Sequence, residues 1–133
     1  MPERRKRILI VDENVDGRRL MRLALREMGA EIIEARGISE AHQALEEGLV
    51  DLVITELPFG SDLTAGISII GLARAIAQKG TAILVYTSHV MQGAEEKAYR
   101  AGADEFMSKP APNLNMVREA VAALLENQAP QLH

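Results

Sequence analysis

Five short apolar runs, each followed by a segment with helical spacing, constrain this chain more than any other feature. The first is Arg7–Val11, where Ile8, Leu9, Ile10 and Val11 stop at Asp12 and Glu13. It is too short and too β-branched for a helix and reads as a buried strand. Glu31–Ala35, Asp51–Thr55, Ala82–Tyr86 and the weaker Asp104–Ser108 read the same way. Between them, Asp16–Met28 places Leu20, Met21, Ala24, Leu25 and Met28 on one helical face, with Gly29 as a stop. Ser39 caps a second helix with Ala41, Ala44 and Leu45 inward and Gly48 at its end. Ile67–Gln78 turns Ile69, Ile70, Ala73, Ile76 and Ala77 inward, and Met91–Ala101 closes at Gly102. Lys109-Pro110-Ala111-Pro112 is a rigid link. Asn113 then caps a last helix carrying Leu114, Val117, Val121, Leu124 and Leu125, and Gln128–His133 reads as a frayed tail.

Strands that are apolar throughout have no solvated face. Alternating with helices, they imply an α/β fold with a parallel sheet covered on both sides, built from right-handed βαβ units. With 133 residues, the chain is expected to be one domain (1–133, core 7–126, flexible tail 127–133) with no attached effector. Several function classes fall away on composition. There is no cysteine, so thiolate metal sites and cysteine nucleophiles are excluded. The net charge of −4 gives no pull toward nucleic acid, and 3% aromatics provide no stacking platform for single strands. No apolar run approaches the ~20 residues of a membrane span, and the first residues show no signal-peptide h-region with a cleavage site; a cytoplasmic location is the expectation.

Open α/β sheets place their sites at the C-terminal ends of the strands. Here those ends carry Asp12 and Glu13, Thr55 and Glu56, Thr87 and Ser88, and Lys109 before Pro110. Three carboxylates gathered at one edge repel one another unless a cation relieves them. Lys109 supplies one charge; a hard divalent ion such as Mg²⁺ would supply two. Oxygen ligands beside a lysine and a threonine suit a phosphoryl group better than a soft metal.

The set resembles the receiver domain of two-component response regulators over roughly Arg7 to Glu126. The resemblance rests on Ile8-Leu9-Ile10-Val11-Asp12-Glu13, on Asp51-Leu52-Val53-Ile54-Thr55-Glu56, on Thr87-Ser88 and on Gly102-Ala103-Asp104-Glu105-Phe106-Met107-Ser108-Lys109-Pro110. It implies a flavodoxin-like (βα)5 fold with strand order 2-1-3-4-5, an order the apolar pattern alone does not give. It further implies Mg²⁺ held by Asp12 and Glu13, with Glu56 as a third ligand. Thr87, with Ser88 beside it, and Lys109 would contact a phosphoryl group, Phe106 would act as a switch aromatic, and the Lys109–Pro110 bond would be cis. The implied partners are proteins (a histidine kinase, a phosphotransfer protein or a downstream effector), with no nucleic acid or membrane, for a monomer or weak dimer. The implied output face is Met91–Gly102, Phe106 and the last helix.

One position departs. The family's phosphoacceptor is an aspartate, and here it is Glu56. The extra methylene moves the carboxylate about 1.5 Å outward, and a misplacement of about 1 Å costs on the order of a hundredfold in a reaction governed by positioning. The expectation is that Glu56 is not phosphorylated efficiently and instead sets a permanent negative charge near Lys109 and Thr87. The longer Glu56 side chain would also reach into the metal pocket and fill it. A phosphorylatable Mg²⁺-dependent regulator is the alternative within the family. The loop between Glu56 and Gly66 carries about two extra residues, with Ser61–Ala65 unaligned.

Two enzyme or carrier readings fit poorly. Haloacid-dehalogenase phosphatases need an acid two residues after the nucleophile, and Asn14 stands there. A flavin carrier needs a Ser/Thr/Gly-rich loop after the first strand, which is missing. Arg18, Arg22 and Arg26 share a helical face, either solvated or a docking stripe. Arg4-Arg5-Lys6-Arg7 reads as a solvated lead, with contact to nucleic acid or an acidic partner as the other reading. His42, His89 and His133 lack metal-ligand spacing.

Overall fold

The computed structural model of the chain describes residues 4–62, 64–76, 80–88, 91–111 and 113–127. The expectations for Leu63, Ala77, Gln78, His89, Pro112 and the tail Gln128–His133 lie outside the described residues. Five strands alternate with five helices: β1 (Arg7–Val11), α1 (Val15–Leu25), β2 (Glu31–Ala35), α2 (Ile38–Glu47), β3 (Leu52–Thr55), α3 (Ala65–Ile76), β4 (Ala82–Thr87), α4 (Ala94–Ala101), β5 (Glu105–Ser108) and α5 (Leu114–Glu126). The sheet is parallel, in the order β2-β1-β3-β4-β5. That is the flavodoxin-like arrangement implied by the resemblance.

The period-2 alternation of each strand splits the core into two layers. Leu9, Val11, Val53, Ile83 and Val85 pack under α2, α3 and α4 against Leu45, Ile69, Ile70, Ala73 and Ala98. Ile8, Ile10, Leu52, Ile54 and Leu84 pack under α1 and α5 against Met21, Leu25, Val117 and Val121. Both faces of the central strands are therefore dry, which is why their sequences show no polar alternation. Among the described residues, no helix is long and apolar enough to cross a membrane.

Helix ends differ from the sequence expectation for local reasons. α1 starts at Val15, one residue before the expected Asp16, because the Asn14 side chain accepts the N–H groups of Asp16 and Gly17 at 2.8 and 3.2 Å. It ends at Leu25, and Arg26–Met28 tightens into a 3₁₀ turn before the left-handed Gly29. Ser39 does not cap α2. Gly37 holds that position without a side chain, and Glu40 reaches back to accept the Arg36 N–H at 2.7 Å. α3 begins at Ala65, ahead of Ile67, and α4 begins at Ala94, behind Met91. Asn113 caps α5 as expected, accepting the Met116 N–H at 3.1 Å.

Candidate functional site

The C-terminal ends of β1, β3 and β5 bring Asp12, Glu56 and Lys109 together. Lys109 Nζ lies 2.8 Å from Glu56 Oε2 and 3.1 Å from Asp12 Oδ2. Both carboxylates are buried, at 8% and 7% exposure, so the shared ammonium is what makes their burial tolerable. Burial works to lower the Lys109 pKa. The hydrogen bond and charge of Glu56, with those of Asp12, outweigh it and hold the pKa above the ordinary lysine value.

The backbone fixes the remaining oxygens. Asp12 Oδ1 accepts the Asn14 N–H at 3.0 Å, and Glu56 Oε1 accepts the Leu57 N–H at 2.8 Å. Glu56 is thus bent back over its own strand end and tied at both oxygens. The chain just beyond it passes close to α3: a Cβ on Gly66 would lie 2.2 Å from the Glu56 carbonyl oxygen, so no side chain fits there.

Glu13 turns elsewhere. It is exposed, and its Oε1 accepts the Gly60 N–H at 2.8 Å, tying the end of β1 to the β3–α3 loop. That loop closes on itself through paired backbone bonds between Phe59 and Asp62. Among the described residues, no group of three or more histidine, aspartate or glutamate side chains is gathered to hold a metal. Asp12 and Glu56 share one lysine while Glu13 holds a loop, so this arrangement does not fit a preformed Mg²⁺ site.

Thr87 is the last residue of β4 and fully buried, whereas Ser88 is exposed. Phe106 is half-buried on β5 and packs against the α2–α3–α4 side of the core. The Lys109–Pro110 bond is cis. The sequence places Tyr86 only at the end of an apolar strand. Its hydroxyl accepts the Ala111 N–H at 3.1 Å, and its ring centroid lies 5.6 Å from Lys109 Nζ, so it steadies the segment that carries the lysine. A tyrosine one residue before the strand-end threonine was the available signal.

The two basic features are used inside the molecule. Arg18 is buried: its Nε meets Glu34 Oε1 at 2.9 Å and its Nη1 donates to the Asp12 carbonyl. Arg22 reaches the same glutamate at 3.4 Å, so the expected stripe is neither a solvated face nor an open docking face at Arg18. The N-terminal run is exposed through Lys6, as expected of a solvated lead, but it is also paired within the molecule. Arg4 grips Asp51 with two nitrogens, Arg5 donates to the carbonyls of Gly29 and Ala30, and Arg7 meets Glu31 at 2.6 Å. His42 is exposed and pairs with Glu46 on its own helix.

Known proteins agree with this architecture. Residues 8–122 match the family model described as the response regulator receiver domain. The chain is 32% identical over 131 residues to the response regulator protein PilR of Pseudomonas aeruginosa, covering 96% of this chain but only 28% of PilR's length. It is similar to the crystal structure of the response regulator TrrA from Thermotoga maritima in complex with Mg²⁺-BeF (30% identity, TM-score 0.76, 90% of this chain and 98% of that one). A CheY-like receiver domain protein from Methanospirillum hungatei shares the fold (TM-score 0.84, 21% identity, 94% and 97% coverage). With the match spanning all but the ends of the chain, the chain belongs to the response regulator receiver domain family.

Proposed function

We propose that this receiver domain works as a signalling module whose acceptor position is held in a standing, charge-paired state rather than being efficiently phosphorylated. It acts by presenting its surface to protein partners in a two-component pathway: a histidine kinase, a phosphotransfer protein or a downstream effector. The observation that carries the reading is the closed set of contacts at Glu56. Oε2 holds Lys109 at 2.8 Å and Oε1 holds the Leu57 N–H at 2.8 Å. A carboxylate that attacks a phosphoryl donor must aim an oxygen in line, and here one oxygen is directed at Lys109 and the other is turned back to its own backbone. Lys109 would have to leave Glu56 to meet an incoming phosphoryl group. Thr87, at the end of β4, stands as the hydroxyl of the same site, with Ser88 beside it at the rim.

Mg²⁺ binding is weak in this reading. Asp12 already accepts from and pairs with Lys109, and Glu13 would have to release the Gly60 N–H to join a coordination shell. Signalling through Met91–Gly102, Phe106 and α5 is then governed by whether the partner is present, not by a phosphate.

The test is incubation with acetyl phosphate and Mg²⁺ followed by intact-mass spectrometry, on the wild type and on Glu56→Asp. A stoichiometric +80 Da adduct is expected only in the variant. The same adduct mapped to Glu56 in the wild type would overturn the reading.

A further inference from the structure

The groove between α1 and α5 runs into the ion cluster and there widens into a cavity of about 280 Å³. That is roughly twice the ~150 Å³ apolar cavity known to admit benzene, enough for one aromatic ring with a short tail. Its deep walls are Ile10, Ile54 and Val117, all buried, and Leu20 and Pro110 form an exposed rim. Its polar end is Asp12, Glu56 and Lys109.

The charge at that end selects the occupant. Two carboxylates face one ammonium, which leaves one surplus negative charge. Each carboxylate oxygen has one donor already: Asn14 N–H and Lys109 on Asp12, Leu57 N–H and Lys109 on Glu56. A carboxylate oxygen accepts two, so lone pairs remain on both residues for a further donor. An added cation with N–H groups satisfies both needs, and an added anion meets repulsion.

Gly17 is the second observation. It lines the cavity in the first turn of α1, and a Cβ there would lie 2.6 Å from Asp12 Oδ2. Any other residue would push the Asp12 carboxylate aside where the apolar body of the cavity meets its charged end. We propose that this cavity binds a small primary amine with an apolar body of about one aromatic ring, its ammonium on the open lone pairs of Asp12 and Glu56 beside Lys109. The site shares Asp12, Glu56 and Lys109 with the acceptor position and so rests on that position being unphosphorylated; the titration reads amine binding and the acetyl-phosphate mass reads phosphorylation, so the two readings fail separately.

The test is NMR titration of the full chain with 2-phenylethylamine, 2-phenylethanol and phenylacetate at one pH and salt concentration. Saturable shifts are expected at the amides of Gly17, Ala24 and Leu114 with the amine, about tenfold weaker binding with the alcohol, and none with the acid. Ala24→Leu, which fills the cavity, removes the amine response; Leu20→Trp, at an exposed rim position, serves if the first variant does not fold. Glu56→Gln reduces the amine to the affinity of the alcohol. The proposal fails if the amine gives no saturable shift, if phenylacetate binds as well, or if the response survives a folded cavity-filling variant.

Discussion

At the N-terminal end of the sheet, Asp51 is 2% exposed and held from two sides. Arg4 grips both its oxygens at 2.8 and 3.0 Å, and the Arg7 N–H donates to it at 2.8 Å. At the C-terminal end, Asp12 and Glu56 share the single ammonium of Lys109. Each carboxylate at either end has a backbone donor, but one end has a cation for its single carboxylate and the other has one cation for two. A satisfied group fixes structure, since nothing arriving from solution improves on what it has. An under-compensated pair keeps a demand for positive charge, and that demand is what a signalling or ligand-binding site needs.

Removing the shared cation tests this contrast most severely. Lys109→Met leaves two buried carboxylates facing each other, and breaking a buried ion pair from one side costs about 3 kcal/mol or more. The expected result is a drop of that size in urea unfolding free energy, with an unchanged slope. An unchanged midpoint would mean that water already screens the cluster. At the other end, Asp51→Asn keeps the shape and one acceptor but loses the charge that Arg4 grips. About 2 kcal/mol is expected, the scale of a charge-assisted hydrogen bond to a buried group. Glu56→Gln is the sharper comparison, because it removes the surplus charge and keeps the acceptor. A change within about 1 kcal/mol is expected, as relief of repulsion offsets the lost pairing with Lys109. A cost equal to that of Asp51→Asn would show that the two ends are held alike.

Much of this contrast was legible in the sequence, and the illegible part has a common cause. The strands stood out because a parallel sheet buries both faces, so Ile8–Val11 and Ala82–Val85 carry no polar interruption. Asp12, Glu56 and Lys109 were placed because strand ends are marked by the change from apolar to charged. What failed depends on partners with no mark in the sequence. Glu13 meets the backbone N–H of Gly60, 47 residues away in a loop of unaligned length. Arg18 lies on a helical face that periodicity identified, but its partner Glu34 is read only once β2 is beside α1. Arg4 finds Asp51 the same way, 47 residues along the chain. Ser39 was misread for a smaller reason: a glycine two residues earlier took the cap position, and Glu40 supplied the side chain.

The mildest test of the comparison is pH. Burial pushes the Asp51 carboxyl up, but the hydrogen bonds from Arg4 and the Arg7 N–H outweigh it, and the net pKa lies below the ordinary value of 3.8. A carboxyl whose pKa is lower folded than unfolded adds stability that is present above its unfolded pKa and is lost as pH falls through the folded one. The acid limb of stability should therefore lie below about pH 4, and Asp51→Asn should flatten it. Lys109 behaves in the opposite sense. Its folded pKa is raised above 10.5, so its contribution is complete below that value and is lost only as pH rises through the higher folded pKa. Lys109→Met should remove the alkaline limb and leave the acid contribution of Asp51 in place. Thermal unfolding midpoints from pH 2 to 12 for the wild type and the two variants separate the limbs. An acid limb that persists unchanged in Asp51→Asn would remove Asp51 from the acid response and break the contrast between the two ends.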